Sequence, residues 1–385
     1  MPIYWIALTS FILFLSTHVG VPVLPALAAQ LGADTRAMAG ILSAALMTLV
    51  LLQFFSGMLA DRYGRRQVLV CGAFLGGISS LLCATAGRWQ WLLAWRILGG
   101  IADAIAMPAL LGLTAEVAAG QHGAFFGILR SSQGLSFIIA PVIGGQLSEW
   151  GLRVPFVVDG LLSLLACVIL ALAVHTQRRA QGSAHSLAQW STLKSLFTTQ
   201  SVYAFFLFGM ANNFAFPILS SFVPTKGQLL GFTPRQLSIL LASEATAYTV
   251  GSYLVGRLSD RWGRRFFVIL AQPLILLACV GLALSHQWAG LSAFYAIFGL
   301  GSSMTFLMSS VMMADITPSE RCATVLGAFD AAIDLVLFVA PALALALYGL
   351  LKSIEPLLLI AAIPALLAWP VAWRVQETRP LAHQG

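Results

Sequence analysis

Charge is what this 385-residue sequence has least of: Asp, Glu, Lys and Arg together make up 9% of it. Soluble domains carry about a quarter, so a water-soluble protein of this size is excluded. Cysteine is sparse as well. Cys71, Cys83, Cys167, Cys279 and Cys322 form no close pair and lie mostly in apolar runs, where a thiol behaves as a small hydrophobe. No disulfide framework and no metal site is implied. A phosphate loop, an H-x-x-x-H spacing and a Ser/His/Asp set in a recognisable context are all missing, so nothing points to an enzyme or to a cofactor.

What the sequence has is apolar length: 59% hydrophobic residues and a mean hydropathy of +0.89. A helix needs about 20 apolar residues to cross a bilayer, and in lipid it must satisfy its backbone internally. The runs divide into about twelve such helices, which predicts an all-α polytopic membrane protein with the lipid bilayer as its solvent. Spans one to six are expected at about 4–27, 36–59, 67–86, 89–116, 122–147 and 151–174. Spans seven to twelve follow at about 200–222, 234–257, 266–285, 289–315, 321–349 and 353–373. Pro22 and Pro25 predict a bent or interrupted first span, and that span has no basic leader or small-residue cleavage site, so it reads as uncleaved. Residues 175–199 turn polar and basic, with Trp190 and Leu193 as the large apolar interruptions over most of the stretch, and form the linker between a bundle over 1–174 and a bundle over 200–373. A polar tail over 374–385 ends the sequence.

Two bundles imply a repeat, and the repeat is legible. Gly57-Met58-Leu59-Ala60-Asp61-Arg62-Tyr63-Gly64-Arg65-Arg66 returns 199 positions later as Gly256-Arg257-Leu258-Ser259-Asp260-Arg261-Trp262-Gly263-Arg264-Arg265. Two further anchors agree. Span five has Phe126-Gly127, Arg130, Gly134 and Ala140-Pro141 where span eleven has Leu326-Gly327, Asp330, Asp334 and Ala340-Pro341. His18 to Pro22 likewise aligns with Asn213 to Pro217. Parallel repeats of this kind place a substrate path between the halves near the bilayer midplane.

Basic residues fall unevenly on this topology. If the duplicated turns face the cytoplasm, thirteen basic residues lie on that side and six on the other, with Arg96 and Arg130 inside helices. This is the positive-inside pattern, so the net charge of +7 reflects topology and not nucleic acid. It puts both termini in the cytoplasm.

The duplicated turn resembles the pattern G-x-L-a-D-R-x-G-R-R/K of the major facilitator superfamily. Span five resembles the antiporter signature of its proton-coupled drug exporters, through Gly127, Gly134, Pro141, Gly144 and Gly145, although Ala140 and Arg130 depart from it. Close helix packing alone would account for Gly144 and Gly145 equally well. The resemblance implies two six-helix bundles, a monomer in a bacterial-type inner membrane, and alternating access for a small-molecule substrate. It also implies a cytoplasmic latch. Asp61 with Arg65 and Glu116, and Asp260 with Arg264 and Asp315, are expected to form two small networks at that gate. Arg62, Arg130 and Asp330 are expected nearby, with Arg130 and Asp330 paired across the halves or locally. The alternative is that these are topology-setting loop charges, each exposed pair contributing about 0–1 kcal/mol.

Acids inside spans are the other candidates. At 1.5 Å per residue Asp103 lies about 20 Å from Glu116, Glu244 about 18 Å from Gly256, and Asp334 at similar depth. A charge at mid-membrane costs on the order of 2.5–3.5 kcal/mol, so such residues serve ions, protons or substrate, or else pair within the bundle. A carboxyl that is desolvated in one conformation and hydrated in another can carry a proton. Glu244, Asp334 and Asp103 are the proton-coupling candidates in that order, joined by His18, which can titrate near neutrality. His18, Asn213, Asn212, Arg96 and Asp103 are expected to line the substrate cavity. Asp159 is expected near the outer interface beside Arg153, without a role.

The leading expectation is proton-coupled export of a small amphipathic molecule. An importer or facilitator of a small organic anion, a lipid flippase and a non-transporting scaffold are the alternatives.

Overall fold

The computed structural model describes residues 2–118, 120–173 and 200–378, and every regular element in them is helical. The linker over 175–199 and the last residues of the tail lie outside the described residues.

The first span is broken where its prolines predict. Helix α1 (Pro2–Val19) gives way to a 3-10 turn at Val21–Val23 and then to α2 (Leu24–Gln30). Four helices follow with short joints: α3 (Thr35–Tyr63), α4 (Arg65–Thr85), α5 (Trp89–Ala118) and α6 (His122–Ser148). Helix α7 (Val154–Ala173) completes the first half. The second half repeats this order as α8 (Gln200–Leu229), α9 (Pro234–Trp262), α10 (Arg264–Leu284), α11 (Trp288–Ile316) and α12 (Cys322–Leu351). Its last span, expected as one helix, is two: α13 (Glu355–Ile360) and α14 (Ile363–Ala372). Pro364 opens α14, where its missing N–H is harmless at a helix start but would interrupt a continuous helix.

Eleven of the spans are long and apolar enough to cross a bilayer. The twelfth, α9, has the length at 29 residues but is too polar to meet the same measure. Ser238, Ser243, Glu244, Thr246, Thr249 and Ser252 interrupt it. Its start is fixed locally by a full capping box, in which Thr233 and Gln236 satisfy each other's backbone N–H.

The described chain forms two compact units that do not coincide with the two halves. The first unit includes the stretch Pro318–Ala331 from the second half, and the second includes Ala118–Ser131 from the first. The starts of α12 and α6, repeat-related helices, are therefore exchanged. Within the first unit α7 packs on α1 and α4; within the second α11 packs on α8, α9 and α10. Glycines permit the closest approaches. A side chain at Gly57 would meet the carbonyl of Ala323 at 2.5 Å, and one at Gly127 would meet that of Ser252 at 2.7 Å.

Candidate functional site

The duplicated turn is built around a glycine with a left-handed backbone. Gly64 (φ 100°) and Gly263 (φ 93°) end α3 and α9, donate to Ala60 and Ser259, and start α4 and α10 in the next residue. Only glycine adopts this conformation without strain. The sharp reversal puts the acid of one helix and the arginine of the next on the same side.

In the first unit, Arg65 donates to Asp61 Oδ1 through Nε (3.1 Å) and Nη2 (2.9 Å). Its Nη1 reaches Glu116 Oε2 at 3.3 Å and the carbonyl of Gly112 at 2.9 Å, and Nη2 also donates to the carbonyl of Ser319. Asp61 has a second set of donors. The backbone N–H groups of Ala323 (3.3 Å) and Thr324 (2.7 Å) and the Thr324 hydroxyl (2.7 Å) point at its carboxylate. These are the free N–H groups at the start of α12, the end of a helix that favours an anion.

The second unit repeats the construction. Arg264 approaches Asp260 at 2.7 Å and Asp315 at 3.1 Å. Asp260 accepts from the N–H groups of Gly123 (3.1 Å) and Ala124 (2.6 Å) at the start of α6. The expected members of each network are thus together, and each acid also caps the opposite repeat's helix. Asp315 is fully buried and takes two further partners, His122 Nδ1 at 2.6 Å and the Thr378 hydroxyl at 3.1 Å, whereas Glu116 is 40% exposed. The trailing arginines do separate work: Arg66 donates to the carbonyl of Leu170 near the end of α7, and Arg265 to that of Trp373 just past α14. Glu377, in the tail, accepts from the N–H groups of Arg264 (2.9 Å) and Arg265 (3.1 Å) and so caps α10. Glu377, Thr378, His122 and Thr324 were not foreseen, because nothing in their spacing marks them.

Arg130 is buried in the second unit, donating to Ser310 (3.2 Å) and lying 4.6 Å over the ring of Phe306, both on α11. Asp330 is buried and belongs to the first unit. Arg62 lies over the ring of its neighbour Tyr63. In α6, Gly134 is buried, Pro141 is exposed, and a side chain at Gly144 would run into the carbonyl of Val19. Gly145 has nothing within 4 Å of such a side chain, so close packing explains the first of the two glycines and not the second.

Of the proton-coupling candidates, Asp334 meets Asn213, whose Nδ2 donates to it at 3.2 Å and to the carbonyl of Ile333 at 3.0 Å. Asn212 is buried beside it, its Oδ1 without a hydrogen bond among the described residues. Glu244 makes no hydrogen bond or ion pair among the described residues, and interacts electrostatically with Tyr248 and Tyr295. His18 is tied into its own helix: Nδ1 lies 2.8 Å from the carbonyl of Phe14, and the ring packs on Phe14 and Phe137. Arg96 and Asp103 line a small cavity in the first unit, of about 40 Å³, without forming an ion pair within 4.0 Å. The expectation for Asp159 is corrected here. It is buried, not interfacial; it lines the same cavity and accepts from Ser80 at 2.7 Å. Arg153 is not its neighbour but caps the end of α4 through the carbonyls of Ala84 and Ala86. The sequence misled because α7 is apolar apart from Asp159 and Ser163, and the packing of α1 and α4 is what shows which of its faces is covered.

Residues 6–228 and, overlapping them, 214–385 match the Major Facilitator Superfamily. The chain belongs to that family. It is a membrane transporter and not an enzyme, as its composition and repeat predict. It is 26% identical over 237 residues to the quinolone resistance protein NorA of Staphylococcus aureus, an alignment that spans 60% of each protein. It is 23% identical over 343 residues, 88% of each protein, to the uncharacterised MFS-type transporter MJ1560 of Methanocaldococcus jannaschii. Among solved structures it matches the human organic anion transporter MFSD10 (TETRAN) with a TM-score of 0.80 over 96% of this chain and 98% of that one. At 15% identity that likeness shows the fold.

Proposed function

We propose that this transporter exports small amphipathic molecules in exchange for protons, by alternating access of a path between its two repeats. The observation that carries the reading is Glu244. It stands without a hydrogen bond or ion pair among the described residues, on the one long span too polar to meet the measure its eleven counterparts meet. An ionisable group left unpaired at that depth is destabilising, so its presence there argues for a working role. Asp334, held by Asn213, is the second carrier on this reading, and Asn212 and Asn213 contribute polar contacts for substrate. The similarity to NorA, a protein named for quinolone resistance, supports export over uptake. The two Asp–Arg networks act as the latch: each holds the start of a helix from the opposite repeat, so a change of access must release them. The protein works as a monomer with both termini in the cytoplasm, in a bacterial-type inner membrane.

The test uses sealed proteoliposomes loaded with a pH-sensitive dye and challenged with cationic, neutral and anionic compounds. Export by antiport predicts a substrate-triggered pH change that Glu244→Gln or Asp334→Asn abolishes. Passage of compounds with no pH change, indifferent to both substitutions, would refute coupling; a response confined to anions and lost in Arg96→Gln would refute the proposed substrate class.

A further inference from the structure

The cavity in the first unit carries a charge set that its repeat lacks. Ser16 of α1, Ser80 of α4, Arg96 and Asp103 of α5, and Asp159 and Ser163 of α7 contribute its polar wall. Positions 199 further on, the spacing of the duplicated turn, show what replaced them: Ser80 becomes Cys279, Arg96 becomes Tyr295 and Gly99 becomes Phe298. Those three are packed in the second unit's hydrophobic core. A polar, charged cavity in one repeat thus corresponds to a largely apolar packed core at these positions in the other.

Its charges do not balance by contact. Arg96 has no carboxylate oxygen within 4.0 Å among the described residues, and its Nε is buried without a hydrogen bond. It acts on both Asp103 and Asp159 electrostatically across the cavity. Asp159 is held by Ser80, a neutral donor, at 2.7 Å. Two ionised carboxylates against one guanidinium would leave a buried net negative charge, which is costly in a medium of low polarity. One proton on the pair restores neutrality. Two other titratable groups, His18 of α1 and Cys83 of α4, are within electrostatic reach of Arg96, and neither lines the cavity. His18 has no acid within 4.0 Å among the described residues, and its Nδ1 is engaged by the carbonyl of Phe14. The volume of about 40 Å³ admits a few waters, enough to connect the two carboxyls that line it.

We propose that Asp103 and Asp159 share one exchangeable proton opposite Arg96, so that the first repeat holds a proton site of its own. Its use in transport rests on the proton-coupled reading above; its existence does not. The site gains or loses a proton as the cavity opens to water, and the two carboxyls titrate as a pair.

Infrared difference spectra of the purified full-length protein, recorded across a pH titration, test this directly through the protonated-carboxyl stretch. Asp159→Asn and Asp103→Asn should each remove one titrating carboxyl signal and lower proton uptake by about one per molecule. Asp159→Glu should keep the signal at a shifted frequency, which separates loss of the proton from loss of the fold. His18→Gln should leave it in place. An unchanged signal in Asp159→Asn would overturn the proposal, and so would its disappearance on adding sodium at fixed pH, which would mark a metal-cation site. Wild-type proteoliposomes that show no substrate-driven proton movement while the signal persists would sink coupled export and leave this site standing.

Discussion

Asp61 Oδ2 accepts from both the backbone N–H and the hydroxyl of Thr324, each at 2.7 Å, across 263 residues of sequence. Asp260 repeats the relationship with the N–H of Ala124 at 2.6 Å, 136 residues away in the opposite direction. The carboxylate of each duplicated turn thus serves two purposes. It neutralises the arginine that follows it by four residues, and it fills the empty hydrogen-bonding end of a helix from the other repeat. An asparagine keeps the shape and one acceptor but loses the charge that makes both contacts strong.

Asp61→Asn and Asp260→Asn should therefore each slow transport by at least tenfold while the protein still reaches the membrane. Thr324→Val, which removes only the hydroxyl, should cost about 1 kcal/mol of stability and a smaller part of the rate. Initial transport rates in vesicles, normalised to protein amount, check the order. Equal rates for Asp61→Asn and wild type would show that the capped helix start does not limit turnover.

Gly127 and Gly145 lie on the same helix in opposite surroundings. Valine at Gly127 must displace the backbone carbonyl of Ser252, whereas alanine at Gly145 meets nothing within 4 Å. Gly127→Val should abolish transport and lower the thermal midpoint in detergent by several degrees, as overpacking of about 1–3 kcal/mol would. Gly145→Ala should be silent in both measurements.

Glu377 caps α10 from a stretch that reads in sequence as a plain polar tail. Glu377→Ala should cost about 1 kcal/mol, as loss of other capping acids does, visible as a lower midpoint of thermal unfolding. Glu377→Gln, which retains an acceptor, should recover part of it.

Glu244→Gln removes a charge that has no ion pair among the described residues, so it should stabilise the folded protein or leave it unchanged while ending proton-coupled transport. A loss of stability comparable to that of Asp61→Asn would instead assign Glu244 a structural partner.

The sequence by itself determined the helical class, the two repeats, the broken first span and the members of both Asp–Arg networks. Each of these depends on local chemistry: apolar run length, proline, a glycine turn, and charges four residues apart on either side of it. The acids within α5, α9 and α12 were also legible, because a charge stands out in an apolar run. What the tertiary structure decided was which surfaces meet. It set Asn213 against Asp334, and turned Asp159 from a supposed interfacial residue into a wall of the Arg96 cavity. It also brought His122, Thr378 and Glu377 to the second network and exchanged the starts of α6 and α12 between the units. Those facts rest on contacts over tens to hundreds of residues, and in a helix that is apolar all round the pattern of side chains does not say which face is covered.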